Sequence, residues 1–155
     1  MKKHIRKCIE IEKLTAKTYQ EFAKSSQNDT TLQGIWLDMA EDEEEHALQL
    51  DFAARMPIDA AFSGIASTSP NPDEMYEVVN RVYQQAKLGR QGKMEMLADA
   101  VRLENQLRGV HATHALIFKD TSLLKTFECL AASEEKHVAG LENYLRKFKQ
   151  ENQIT

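Results

Sequence analysis

Six residues in this chain have the types and spacing that bind metal. They read Glu12, then Glu43-x-x-His46, and later Glu104, then Glu134-x-x-His137. From 12 to 43 is 31 residues and from 104 to 134 is 30, and the two lone glutamates stand 92 apart. A lone Glu followed by a Glu-x-x-His, given twice, is the ligand set of a dinuclear metal site in a four-helix bundle. Carboxylates with one imidazole per metal favour iron or manganese over metals that prefer soft ligands. Two such ions carry four positive charges, which cancels four buried carboxylates whose isolated burial would each cost several kcal/mol.

Such a site needs four helices to present it, and the hydrophobic pattern supplies them. Stepping by four and three along the second helix gives Leu32, Trp36, Met39, Glu43, His46, Leu50 and Ala53. The last helix gives Leu123, Phe127, Leu130, Glu134, His137, Leu141 and Tyr144. Helix one gives Ile5, Ile9, Glu12, Ala16, Tyr19 and Ala23, and the helix before the last gives Leu97, Val101, Glu104, His111, Ala115 and Phe118, with Arg108 at the intervening step. This spacing keeps one face toward a bundle axis. The four glutamates therefore interrupt core stripes, whereas Glu10, Glu44, Glu45 and Glu135 fall off them and are expected in solvent.

The chain reads as a single all-α domain over 1–155, a bundle whose two long hairpins are joined by a crossover containing a short helix. Helices are expected over about Lys3–Ser25, Thr31–Arg55, Pro72–Leu88, Lys93–Lys119 and from the Asp120-Thr121-Ser122 cap to about Lys149. Pro57 to Pro72 reads as a crossover loop. Asn71 then caps a helix with Pro72 in its first position and Asp73 and Glu74 in its first turn. The lone glutamates lie about 16 residues before their turns and the Glu-x-x-His pairs about 14 to 18 after them. At a rise of about 1.5 Å per residue, both hairpins bring their ligands to one level.

Composition narrows the partners. A net charge of −4 without a basic cluster argues against nucleic acid. No apolar run reaches the ~18 residues of a membrane span, and Glu10 and Glu12 interrupt the region behind Met1-Lys2-Lys3 where a signal peptide would be apolar. A cytoplasmic protein is expected. Cys8 and Cys129 form no Cys-x-x-Cys, which excludes a zinc ribbon or a rubredoxin-type iron site within these residues, and nothing supports a disulfide between them. Tyr19 and His111 each follow a lone Glu by seven residues, two turns along the same face, and are candidates to hold a ligand carboxylate from behind. His4 and His114 read as surface or rim residues, and Trp36 and the six Met as packing.

Through Ile9-Glu10-Ile11-Glu12 to Tyr19, Glu43-Glu44-Glu45-His46-Ala47, Val101-Arg102-Leu103-Glu104 and Glu134-Glu135-Lys136-His137, the chain resembles the rubrerythrin and ferritin-like di-iron family. The similarity spans all four long helices. It implies two iron ions (manganese being the other candidate), with Glu43 and Glu134 bridging, Glu12 and Glu104 terminal, and His46 and His137 each on one ion. It implies an oxidoreductase that reduces hydrogen peroxide or O2, peroxide the faster, and a homodimer; the ligand balance itself, two symmetric sets each with one His and one lone Glu, leads us to expect that both ions are held with similar affinity. The alternatives are an iron-binding or iron-handling protein without turnover and a metal-free ferritin-like interaction module. Two departures stand out. Rubrerythrins carry an extra Glu three residues after the third-helix ligand, where this chain has Leu107, and they usually carry a rubredoxin-like domain with four cysteines, of which these residues hold no counterpart. An external electron donor is therefore expected.

Overall fold

The computed structural model describes residues 2–55, 71–117 and 121–153. Within them the chain is entirely helical, with five helices and no strand: α1 (Lys2–Ser25), α2 (Thr30–Arg55), α3 (Pro72–Lys87), α4 (Lys93–Ile117) and α5 (Thr121–Gln153). None is long and apolar enough to cross a membrane. The expected crossover loop and the end of the fourth helix at Lys119 lie outside the described residues. The last helix runs four residues beyond the expected Lys149, because no Gly or Pro stops it and the Asn152 amide donates back to the Phe148 carbonyl.

The caps follow the sequence. Asp29 Oδ1 accepts the Leu32 main-chain N–H at 3.0 Å and so opens α2. Asn71 and Glu74 close a reciprocal capping box around Pro72. Gly89, at a φ of +61°, makes the left-handed turn that ends α3.

α1 packs on α2, α4 on α5, α2 on α5, and α3 lies against both α1 and α4. Lys7 of α1 stands 4.0 Å from Asp73 at the start of α3, and a Cβ on Gly89 would lie 4.0 Å from Ser25 Oγ at the end of α1. α3 therefore runs alongside α1 in the same direction. Asp29 ties three elements together, its Oδ2 accepting from Lys93 at the start of α4 and from the Tyr144 hydroxyl on α5. Those contacts hold its carboxyl down at about 2.

Every residue of the expected α1 and α2 stripes is buried. α1 buries a second stripe beside the first, of Cys8, Ile11, Thr15, Thr18 and Phe22, and α3 buries Met75, Val79, Val82 and Ala86. Both buried threonines satisfy their hydroxyls on the carbonyl one turn back. Trp36 packs between Tyr19 and Phe22, with ring centroids 5.8 and 5.2 Å away, and its indole N–H reaches Ser26 Oγ at 3.2 Å. Cys8 is buried, Cys129 is exposed and both are free thiols.

Candidate metal centre

Four helices each bring one carboxylate to a common level of the core: Glu12 from α1, Glu43 from α2, Glu104 from α4 and Glu134 from α5, all at 0 % exposure. His46 and His137 sit one turn after the glutamates of α2 and α5 and are also buried. The acids beside them in sequence, Glu10, Glu44, Glu45 and Glu135, are all exposed.

The six residues form two overlapping groups whose ligand atoms lie within 4.8 Å of one another. One holds Glu12, Glu43, His46 and Glu134; the other holds Glu43, Glu104, Glu134 and His137. Glu43 and Glu134 belong to both. His46 Nδ1 lies 3.0 Å from Glu43 Oε2, 3.4 Å from Glu134 Oε1 and 3.9 Å from Glu12 Oε2. His137 Nδ1 lies 3.0 Å from Glu104 Oε2 and 3.4 Å from both Glu43 Oε1 and Glu134 Oε2. The two rings stack loosely, 6.1 Å apart.

Around this centre the structure places Tyr19 and His111 on opposite lone glutamates. Tyr19, seven residues after Glu12, donates its hydroxyl to Glu104 Oε1. His111, seven residues after Glu104, puts Nε2 2.8 Å from Glu12 Oε1 and 3.5 Å from Glu134 Oε1. The His111 approach is too poorly aligned to count as a hydrogen bond, and both of its ring nitrogens are buried without one.

The surroundings also contain a residue that sequence reading passed over. Asp42 Oδ2 lies 3.0 Å from His137 Nε2, on the side of the ring facing away from the carboxylates. It belongs to the exposed side of α2, so no periodicity marks it. The only signal was its place directly before Glu43. His114 corrects an expectation, being buried rather than at the rim. α4 buries a second stripe of Leu103, Leu107, Val110 and His114; the His114 ring stacks on Phe127 at 5.2 Å and its Nδ1 lies 2.7 Å from the Val110 carbonyl. His4 is exposed, as expected. Leu107 is wholly buried and brings no oxygen to the site.

Burial and crowding divide the titratable groups. Burial raises the Glu12 carboxyl to about 8 against the opposing pull of His111. Burial, then the charges of Glu134 and Glu43, raise Glu104 well above the ordinary carboxylate range. Glu43 and Glu134 go the other way: burial opposes the ionisation of both and the Glu134 charge opposes that of Glu43, but His137, His46 and Glu12 around Glu43, and Glu104 with the three imidazoles around Glu134, hold both below it. The imidazoles are held protonated despite burial, His46 up to about 11 by Glu134 and Glu43, and His111 up to about 10 by Glu12. His137 is raised further still, chiefly by Glu104. Protons thus balance the charge in this arrangement, and divalent cations would displace them.

The donor set fits divalent cations. Both oxygens of Glu12, both of Glu134 and Oε1 of Glu43 are buried with no hydrogen-bond partner. Leaving such atoms unsatisfied costs about 1–3 kcal/mol each, more for charged groups. Glu12, Glu43 and Glu134 each place a ligand atom within 4.8 Å of the others in their group, where a cation would satisfy them together. No family model, curated protein or solved structure matches this chain.

Proposed function

We propose that this chain is a ferritin-like di-iron carboxylate protein that reduces hydrogen peroxide or O2 with electrons from an external donor. The observation that carries the reading is the sharing of Glu43 and Glu134 between two Glu/His groups. Two groups with two members in common describe a pair of neighbouring positions spanned by two carboxylates. One position would take Glu12 and His46 as its own ligands, the other Glu104 and His137. Manganese would fit the same donors.

The ferritin-like bundle with its crossover belongs to the same reading. Since α3 runs alongside α1, it returns the chain to the end where α2 began, and Lys93 meets Asp29 there. α2 and α4 then run in the same direction, against α1 and α5, which is the consequence of one long crossover in a four-helix bundle.

When bound, the two ions supply two electrons jointly, the number needed to cleave a peroxide O–O bond to two waters with two protons. The protein supplies the rest. Glu43 and Glu134, common to both groups, would be the residues that hold the two ions together. Tyr19 keeps Glu104 turned toward the centre, and Asp42 orients the His137 ring so that Nδ1 faces inward. The buried His111 holds a proton beside Glu12. Trp36, Phe127 and Leu130 keep bulk water out of the core around these groups. Cys8 and Cys129 are too few for a cysteine-held iron centre within these residues, so this reading takes its electrons from an external donor.

Stopped-flow oxidation of the anaerobically loaded di-iron(II) protein by equal concentrations of each oxidant tests this. Faster reaction with peroxide, and sustained turnover when a reductant is added, are expected. Release of iron after each oxidation would instead support an iron-handling role.

A further inference from the structure

The two halves of the site share a ligand set but differ in what stands behind it. Superposing the internal repeat by sequence offset makes the difference visible. An offset of 91 relates Glu43 to Glu134 and His46 to His137, and the same offset relates Asp42 to Ser133. An offset of 92 relates Glu12 to Glu104, and the same offset relates Tyr19 to His111. The pairs that support the site are therefore Tyr19 with Asp42 on one half and His111 with Ser133 on the other.

They perform unequally. Glu104 has both oxygens engaged, Oε1 by the Tyr19 hydroxyl and Oε2 by His137. Glu12, its counterpart, has both oxygens buried and no hydrogen bond, because His111 approaches at 2.8 Å out of line. The outward Nε2 of His137 meets the Asp42 carboxylate at 3.0 Å. Among the described residues no hydrogen bond joins His46 to Ser133, the half-buried serine at the matching place on α5. A carboxylate behind a ligating imidazole fixes its tautomer and orientation and raises its basicity. A ligand already held in its bound orientation loses less freedom when the ion arrives.

From this asymmetry, which presupposes the dinuclear reading above, we propose that the two metal positions are inequivalent. The position built on Glu104 and His137 fills first and holds its ion more tightly, whereas the one built on Glu12 and His46 is the exchangeable position. Asp42 and Tyr19 act as positioning residues for the first, and Ser133 and His111 leave the second looser.

Anaerobic calorimetric titration of the full chain with Fe(II) alone reads this directly. Two resolved binding events are expected for the native protein. Asp42→Ala should weaken the tighter event by about 10–100-fold, the usual effect of losing such a partner, and leave the weaker one in place. Ser133→Asp should tighten the weaker event on the same scale by giving His46 the carboxylate that His137 already has. His46→Ala should keep the tighter event alone, and His137→Ala the weaker alone, with helix content checked by circular dichroism. Two ions of equal affinity in the native protein would overturn the inference while leaving the dinuclear reading standing. So would loss of the weaker event in Asp42→Ala, or a Ser133→Asp isotherm identical to the native one. No binding at all would overturn both.

Discussion

The Tyr19 hydroxyl donates to Glu104 Oε1, across 85 residues of sequence and from one half of the internal repeat to the other. Tyr19 lies on the same helical stripe as Glu12, yet it serves the glutamate of the opposite hairpin. His111 reciprocates, lying on the Glu104 stripe and approaching Glu12. Each hairpin thus sends a side chain to the other's lone glutamate, hydrogen-bonded at Glu104 and only in close approach at Glu12, and these contacts form only when α1–α2 and α4–α5 have docked.

Tyr19→Phe should test that cross-bracing. The ring would still stack on Trp36, but Glu104 Oε1 would lose its donor in the core. Leaving a buried acceptor unpaired costs about 1–3 kcal/mol. Urea denaturation of the metal-free variant should show a loss in that range with an unchanged m-value. A midpoint equal to that of the native protein would show that the hydroxyl contributes nothing to the fold.

Loading should stabilise the protein, and more so as pH rises. Ions that bind only the native state add about 2.7 kcal/mol at a hundredfold excess over Kd. In the metal-free protein, His46 is raised to about 11, His111 to about 10 and Glu12 to about 8. For groups whose folded pKa is raised, the stabilising contribution is complete below the unfolded value and is lost as pH climbs through the folded one. The Glu12 term therefore fades between about pH 4.5 and 8, and the histidine terms between about 6.5 and 11. The metal-free protein should lose melting temperature from pH 6 to 9, and the gap to the Fe(II)-loaded protein should widen. A gap that narrows over this range would contradict the charge balance described.

Glu43 and Glu12 should differ as ligands. Glu43 faces both Glu/His groups and Glu12 only one. Glu43→Gln is expected to weaken both ions, leaving less than one per chain at Fe(II) concentrations that saturate the native protein, whereas Glu12→Gln should retain one. Elemental analysis after desalting distinguishes them. Equal retention by the two variants would remove the bridging role.

Leu37, Leu48 and Phe52 are large apolar residues left exposed along α2. A second copy of the chain is expected to cover them. Light scattering should give twice the chain's 17.7 kDa, and Leu48→Asp with Phe52→Asp should return the monomer mass without loss of helix content. A native protein at the monomer mass would exclude the homodimer.

The sequence made the centre legible because four charged residues sat where 3–4 spacing demands apolar ones, on Leu32-to-Ala53 and Leu123-to-Tyr144 stripes that are buried nearly throughout. It made the caps legible through Asn71, Pro72 and Gly89. Two features escaped it for one reason each. Single-stripe reading allows a helix one partner, but α1 and α4 also lie against α3. α1 buries a second stripe, and a second stripe of α4 carries His114 inward onto Phe127 of α5. Asp42 escaped because its partner, His137, lies 95 residues away and meets it at the exposed edge of the site. The internal repeat likewise showed two equal ligand sets, and only the placed side chains showed that Tyr19 and Asp42 support one half while His111 and Ser133 stand in their places on the other.

The dinuclear centre is tested most directly by the number of ions that the six buried residues hold. Protein purified and loaded with Fe(II) under anaerobic conditions, desalted and analysed for metal against amino-acid content, should contain two irons per chain. The same treatment of a Glu43→Gln, Glu134→Gln double variant should leave none. One iron or none in the native chain would contradict the dinuclear centre, as would two irons that survive loss of both shared glutamates.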